Sequence, residues 1–82
     1  MKTVKRFTAS WCAPCKGLAM MLNSVETTTL IEVVDIDEQG DTAREFNVRG
    51  VPTMVMLVDG KETKRHSGGF TSSTAIQEWL ED

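Results

Sequence analysis

The stretch Trp11-Cys12-Ala13-Pro14-Cys15 holds the only two cysteines of the chain. Two residues separate these cysteines, so their sulfurs can join in a small ring that needs little backbone movement to open or close. A bridge across so few residues removes little conformational entropy from the unfolded chain, and it therefore stabilises a fold weakly. A disulfide that forms readily but stabilises little is suited to redox chemistry rather than to holding a scaffold together.

The composition predicts one small globular domain that spans residues 1–82. Of the 82 residues, 40% are hydrophobic and 26% are charged, which is ordinary for a globular domain. The net charge of −3 gives no basic surface for nucleic acid. No apolar run could span a bilayer, and no signal peptide is visible. We therefore expect a monomeric cytoplasmic protein without nucleic-acid or membrane partners, in which a lone cysteine pair stays reduced unless it is catalytic or redox-sensing.

The spacing of apolar and turn residues predicts the element order βαβαββα. Because βαβ crossovers are right-handed, the first two strands should be parallel neighbours, whereas Asp59-Gly60 predicts a hairpin and antiparallel strands. The expected fold is therefore α/β, with a four-stranded mixed sheet and helices on both faces. The predicted strands are 3–9, 30–36, 54–58 and 61–67. The first predicted helix runs from Pro14 to Val25, the second from a cap at Asp41 to Phe46, and the third covers 75–80.

Two predictions concern single residues within these elements. Pro14 suits the first turn of the first helix, where its missing N–H costs nothing. The methionine side chains are expected to fill the core, because methionine adapts to irregular gaps; these are Met20, Met21, Met54 and Met56.

A second motif, Arg49-Gly50-Val51-Pro52-Thr53, follows the cysteine motif by some 35 residues. The two motifs together resemble the thioredoxin family, and Val34-Asp35-Ile36-Asp37, Asp59-Gly60 and Gly68 extend the resemblance over nearly the whole chain. The resemblance implies a thioredoxin-like fold. The usual first strand and helix of that family do not precede the strand that leads into the cysteines, so the βαβαββα pattern is the minimal core shared with glutaredoxins.

The cysteine motif predicts thiol–disulfide exchange with a distinct role for each sulfur. Cys12 lies at the mouth of a helix, where free N–H groups and partial positive charge favour a thiolate, so it is the expected nucleophile. Cys15, inside the first helical turn, is expected to be more buried and to act as the resolving thiol. This chemistry needs neither a cofactor nor a metal, and two cysteines with one distant His66 do not supply four zinc ligands.

The resemblance also implies a groove for an extended substrate segment. Pro52 matches the family's cis-proline opposite the cysteines, which leaves the Val51 backbone free to pair with the substrate. The groove is expected to include Trp11, Ala13, Pro14 and Gly68. Simpler interpretations remain open for single residues: a core position for Trp11, a strand-entry turn at Val51-Pro52, and a turn at Gly68.

One departure from the family pattern concerns proton transfer. Thioredoxins bury an aspartate six residues before the first cysteine, and that position is Arg6 here. The lysine that accompanies the aspartate matches Val33. Asp35 or Asp37 could take over the role of the missing carboxylate through a water molecule. Arg6 itself could approach the sulfurs, extend its head to solvent, or point outward at an edge of the sheet.

Three functions are compatible with these observations. The first is a protein-disulfide reductase that is recycled by a thioredoxin-reductase-type flavoenzyme. The second is a glutaredoxin recycled by glutathione; Gly68-Gly69-Phe70-Thr71 favours it, whereas Ala13-Pro14 between the cysteines argues against it. The third is an interaction module whose redox activity is incidental, although a pure binding module would not need both cysteines.

Overall fold

A computed structural model describes all residues from Met1 to Asp82. Its elements follow the predicted order: β1 Lys2–Thr8, α1 Ala13–Leu22, β2 Leu30–Asp35, α2 Gly40–Glu45, β3 Thr53–Val58, β4 Lys61–Ser67 and α3 Ser73–Glu81. The largest difference from prediction is at the end of α1, which stops at Leu22 rather than Val25. None of the helices is long and apolar enough to cross a membrane.

The four strands form one mixed sheet in the order β2-β1-β3-β4. β1 and β2 are parallel, whereas β1 pairs with β3 and β3 with β4 in antiparallel register. Asp59 and Gly60 connect β3 to β4 with φ angles of 51° and 84°, as a tight hairpin turn requires. The predicted α/β architecture is therefore confirmed, with β1 and β3 as the two interior strands.

Different local signals begin and end the three helices. The Ser72 hydroxyl caps α3 by accepting the Ala75 N–H at 3.1 Å. The predicted cap of α2 at Asp41 is wrong, because the helix already begins at Gly40 and Asp41 instead pairs with Arg44 within the helix. After α2, Asn47 takes a φ of 54°, a left-handed conformation that stops helix propagation.

The sheet buries a different apolar cluster on each face, because successive side chains of a strand point to opposite faces. One cluster lies under α1 and α3 and consists of Val4, Leu18, Met54, Met56, Ile76 and Leu80. The other lies under α2 and consists of Phe7, Val34, Ala43, Val55 and Leu57. Met20, which we expected in the core, is 72% exposed because it lies about 200° around the helix from Leu18.

The C-terminal end of α3 is held by lysines from the sheet. The Lys2 ammonium donates a hydrogen bond to the Leu80 carbonyl oxygen. The Lys64 ammonium donates to the Trp79 carbonyl oxygen and lies 4.8 Å from the centroid of the Trp79 ring. The last carbonyl groups of a helix lack partners within the helix, so both lysines satisfy acceptors and complement the helix dipole.

Lys64→Ala is expected to lower the free energy of unfolding by about 1 kcal/mol, because it removes both a helix-end contact and a cation–π contact. Lys61→Ala, on the same strand and without a hydrogen-bonded side chain, is the matched control and should cost less than about 0.5 kcal/mol. Urea denaturation of the two variants measures the difference. Equal losses would contradict the assigned role of Lys64.

Candidate redox site

The two cysteines meet at the start of α1. Cys12 is the N-cap residue, with an extended backbone at φ −94° and ψ 106°, and Pro14 lies in the first turn. Cys15 follows within that turn, and the two residues form a disulfide with their Cα atoms 5.3 Å apart. The short loop from β1 to α1 therefore brings both sulfurs to the helix N-terminus.

The helix N-terminus offers the Cys12 sulfur a hydrogen-bond donor. The Cys15 backbone N–H donates to Cys12 Sγ at 3.2 Å, and no acidic residue occupies the first turn of α1. An N–H donor and the positive end of the helix dipole both stabilise negative charge. After reduction, this geometry favours a thiolate on Cys12.

Both cysteines are largely covered in the disulfide state. Cys12 is 4% exposed and Cys15 is 1% exposed, so Cys15 is the more buried by only a small margin. Ala9 completes their cluster, and Ile36 and Val51 pack against it. The position along the helix, rather than a large difference in exposure, distinguishes the two sulfurs.

The Pro52 loop lies against the disulfide through Val51. The Val51–Pro52 peptide bond is cis, and the Pro52 side chain is buried. The Thr53 hydroxyl donates to the Gly50 carbonyl oxygen at 2.7 Å, and the Gly68 N–H donates to the Pro52 carbonyl oxygen at 2.8 Å. Gly68 has a φ of 97°, a conformation that glycine adopts most easily. The local backbone conformation therefore also explains a glycine at position 68.

The backbone N–H and C=O groups of Val51 have no hydrogen-bond partner within the chain. Val51 lies within the hydrogen-bonded Gly50–Thr53 turn and packs against the cysteine cluster, so this free backbone segment is adjacent to the disulfide. An extended peptide can use such free groups by adding a short strand. The Val51 backbone is therefore free for the pairing predicted from the sequence.

The rim beside Cys12 is exposed and includes Trp11, Ala13 and Pro14. The Trp11 side chain is 67% exposed, so it is not a core residue. Its indole Nε1–H donates to Asp37 Oδ2 at 2.9 Å. This contact holds a large apolar surface next to the disulfide.

The contact between Asp37 and Trp11 was not among the features expected from the sequence. A signal was available, because β1 and β2 are parallel with Thr8 opposite Asp35, so the residues that follow both strands meet at one edge of the sheet. Asp35 instead accepts hydrogen bonds from the backbone of the turn after β2. Its Oδ1 atom accepts the Asp37 N–H at 2.8 Å and the Glu38 N–H at 3.3 Å, which stabilises the turn after β2.

No carboxylate is buried anywhere in the chain, since the one buried polar side chain is that of Thr53. The turn after β2 engages Asp35, and the Trp11 indole engages Asp37. The site therefore has no counterpart to the buried aspartate of the thioredoxin pattern. Nor does the chain bring together three or more histidine, cysteine, aspartate or glutamate side chains that could hold a metal ion.

Arg6 occupies the face of the sheet that α1 covers. It shares this face with Val4, and its cross-strand neighbours are Val33 and Met54. An orientation at a sheet edge is ruled out because β1 is an interior strand. The half-buried guanidinium has no hydrogen-bond or ion-pair partner in the chain, and burial lowers its pKa from the ordinary value.

Asp37→Ala is expected to slow disulfide reduction about fivefold, since the loss of one hydrogen bond worth about 1 kcal/mol frees the Trp11 ring. Glu38→Ala is the matched control, because it removes the same charge from the next residue, whose side chain makes no hydrogen bond. Asp37→Asn retains an oxygen acceptor, so its rate should lie between the rates of Asp37→Ala and Glu38→Ala. Stopped-flow fluorescence with a peptide disulfide measures the rates, and equal rates for all variants would contradict the anchoring role.

Arg6→Asp is expected to raise the apparent pKa at which Cys12 becomes reactive, because a negative charge beneath α1 disfavours the thiolate. Arg6→Ala should shift this pKa in the same direction by less. Lys5→Ala removes a positive charge from the opposite face of β1 and is the control. The pH dependence of Cys12 alkylation reports the shift, and superimposable profiles for all four proteins would show that position 6 does not influence the thiols.

The sequence of the chain is similar to those of known proteins of one family. A sequence model described as thioredoxin matches residues 2–82. The thioredoxin of Mycobacterium tuberculosis is 33% identical over 76 residues, which cover 88% of this chain and 66% of the relative. The thioredoxin of Bacillus subtilis is 37% identical over 76 residues, which cover 88% of this chain and 72% of the relative. The chain thus spans about two thirds of the length of the mycobacterial relative.

Solved structures agree with the sequence relatives. A mutant thioredoxin from Halobacterium salinarum superposes with a TM-score of 0.87 at 29% identity, covering 98% of this chain and 72% of the other. The thioredoxin of Fasciola hepatica superposes with a TM-score of 0.84 at 30% identity, covering 98% of this chain and 78% of the other. With the family match over nearly its whole length and a cysteine pair at the N-terminus of α1, the chain belongs to the thioredoxin family.

Proposed function

We propose that this chain is a thiol–disulfide oxidoreductase that reduces disulfides in proteins. The observation that carries this proposal is the Cys12–Cys15 disulfide at the N-terminus of α1, where the Cys15 N–H donates to the Cys12 sulfur. A structural staple across two residues would stabilise the fold little, whereas a sulfur at a helix N-terminus is activated for exchange. The family match supports the same activity.

The reaction proceeds through two exchanges between sulfurs. In the first, the Cys12 thiolate attacks one sulfur of the substrate disulfide; a mixed disulfide forms, and the other substrate sulfur leaves as a thiolate that takes up a proton. In the second, the Cys15 thiol loses its proton and attacks Cys12. The substrate's remaining sulfur then leaves and is protonated. Two electrons and two protons pass to the substrate, and the Cys12–Cys15 disulfide of this structure is the product.

The positions of the two cysteines support this order of the two exchanges. The N-cap position places Cys12 next to the exposed rim formed by Trp11, Ala13 and Pro14, where a substrate can approach. Cys15 lies inside the first turn with its Cα atom 5.3 Å from that of Cys12, so it can reach the mixed disulfide without movement of the helix. With no buried carboxylate available, protons exchange with solvent or with the thiols themselves.

The substrate segment is held in an extended conformation beside the disulfide. The free N–H and C=O groups of Val51 pair with its backbone, and Trp11 and Gly68 flank it. Backbone pairing places few demands on side chains, which suits a reductase that acts on several proteins.

The electron donor and cellular setting follow from the same proposal. The oxidised form is recycled by a thioredoxin-reductase-type flavoenzyme, and the protein acts as a cytoplasmic monomer, because a disulfide reductase needs a compartment that returns its cysteine pair to the dithiol form. Neither the family match nor the relatives described above favour a glutathione-dependent glutaredoxin. An interaction module with incidental redox activity has no supporting observation, because both cysteines form the disulfide.

Insulin reduction driven by NADPH tests the activity and the electron donor together. We expect turnover with thioredoxin reductase, and little with glutathione and glutathione reductase. Faster turnover with the glutathione system would establish the glutaredoxin alternative. Absence of turnover with both systems, and with a chemical dithiol as donor, would contradict the proposed function.

Cys15→Ser is expected to accumulate a mixed disulfide with substrate through Cys12, because the resolving thiol is missing. Cys12→Ser retains one thiol and is the matched control; it should accumulate little adduct. Mass spectrometry of the proteins after mixing with a peptide disulfide identifies the attached residue. Preferential trapping through Cys15 would reverse the assigned roles.

A further inference from the structure

A cleft of about 480 Å³ lies beside the Pro52 loop. The segment from Asn47 to Thr53 forms one wall, and the end of β4 with Arg65, Ser67 and Gly68 forms the other. The cleft shares Val51, Pro52 and Gly68 with the proposed substrate groove, so it adjoins the backbone groups with which a substrate segment would pair.

The charge of this cleft is opposite to that of the whole chain. Arg49 and Arg65 line it, and none of its lining residues is acidic, although the chain carries a net charge of −3. The exposed Arg49 guanidinium makes no hydrogen bond or ion pair within the chain, so all of its N–H groups remain free. Arg49 is therefore available to an external anion.

Arg65 is held in place while one of its amino groups stays free. Its Nε and Nη2 atoms donate to the two carboxylate oxygens of Glu62 at 2.6 and 2.7 Å. Nη2 also donates to the Phe46 carbonyl oxygen at 2.8 Å, whereas Nη1 makes no hydrogen bond. The hydrogen bond from Arg65 lowers the pKa of Glu62, so the pair remains ionised near neutral pH. The cleft thus presents one fixed and one free guanidinium.

From this arrangement we propose that the cleft binds an acidic side chain of the substrate, close in sequence to the cysteine that Cys12 attacks. Guanidinium groups pair with carboxylates in a planar, often bidentate geometry, and complementary charge raises the rate of encounter. Backbone pairing at Val51 accepts many sequences, whereas the cleft selects disulfides with an acidic neighbour. This inference rests on the proposed function, because it requires that a substrate segment lies along Val51.

Two peptides distinguish this preference from the reaction itself. Each contains one cysteine activated as a disulfide with 2-thiopyridine; the acidic peptide carries glutamate two residues before and two residues after the cysteine, and the neutral peptide carries glutamine there. The reduced protein releases thiopyridone when Cys12 attacks the peptide sulfur, and absorbance measures the second-order rate constant. The measured quantity is the ratio of the acidic to the neutral rate constant.

Arg49→Gln is expected to lower this ratio about two- to fivefold, the size expected for one exposed ion pair. Added salt should reduce the difference in ratio between Arg49→Gln and the unaltered protein. Arg49→Gln should fold normally, since Arg49 is exposed and unpaired. The control Arg44→Gln changes the net charge equally at a residue of α2 that does not line the cleft, so its ratio should equal that of the unaltered protein. Arg65→Gln should lower the ratio as well.

The possible outcomes separate the two proposals. If neither peptide reacts, the proposed function fails. If both peptides react and Arg49→Gln leaves the ratio unchanged, the cleft does not bind acidic side chains and the inference is overturned. If Arg44→Gln lowers the ratio as much as Arg49→Gln, the effect comes from net charge, and this too overturns the inference.

Discussion

The hydrogen bond from the Cys15 N–H to the Cys12 sulfur is the interaction on which the rest of the site depends. It exists because Cys12 keeps an extended backbone at the N-cap of α1 while Cys15 already lies in the first turn. At that position the sulfur lies within reach of a free helix N–H and near the positive end of the dipole. The other features of the site place α1, or form the exposed rim and the free Val51 backbone beside its N-terminus.

The sheet supplies the required placement with few residues. β1 is an interior strand, so its end is fixed from both sides, and α1 begins only a short loop later. β3 is the other interior strand and carries Val51 and Pro52 just before its start, against the cysteine cluster. β1 and β3 each contribute side chains to both apolar clusters, so the strands that hold the two halves of the site are packed on both faces of the sheet. A domain of 82 residues can therefore hold both halves in place without further layers.

Local sequence patterns were sufficient to predict the element order, the mixed sheet and the start of α1, since the proline in the first turn and the hairpin residues act over short distances. Contacts between distant residues were harder to predict. Trp11 binds Asp37 only because two parallel strands end together, and the exposure of Met20 depends on which face of α1 meets the sheet. The position of Arg6 required the strand order, because the same alternating pattern fits an edge strand and an interior strand. The cleft at Arg49 and Arg65 combines segments that no motif connects.

Because no carboxylate is buried at the site, no buried negative charge opposes the thiolate stabilisation that the helix N-terminus supplies. The most direct test is a titration of the reduced protein with ¹³Cβ-labelled cysteine, followed by NMR, which reports each thiol separately. We expect Cys12 to titrate below the value of about 8.5 of an unperturbed cysteine and Cys15 to titrate above Cys12. If Cys12 titrates at or above the value of a free cysteine, or if Cys15 loses its proton first, the hydrogen bond at the helix N-terminus does not activate Cys12.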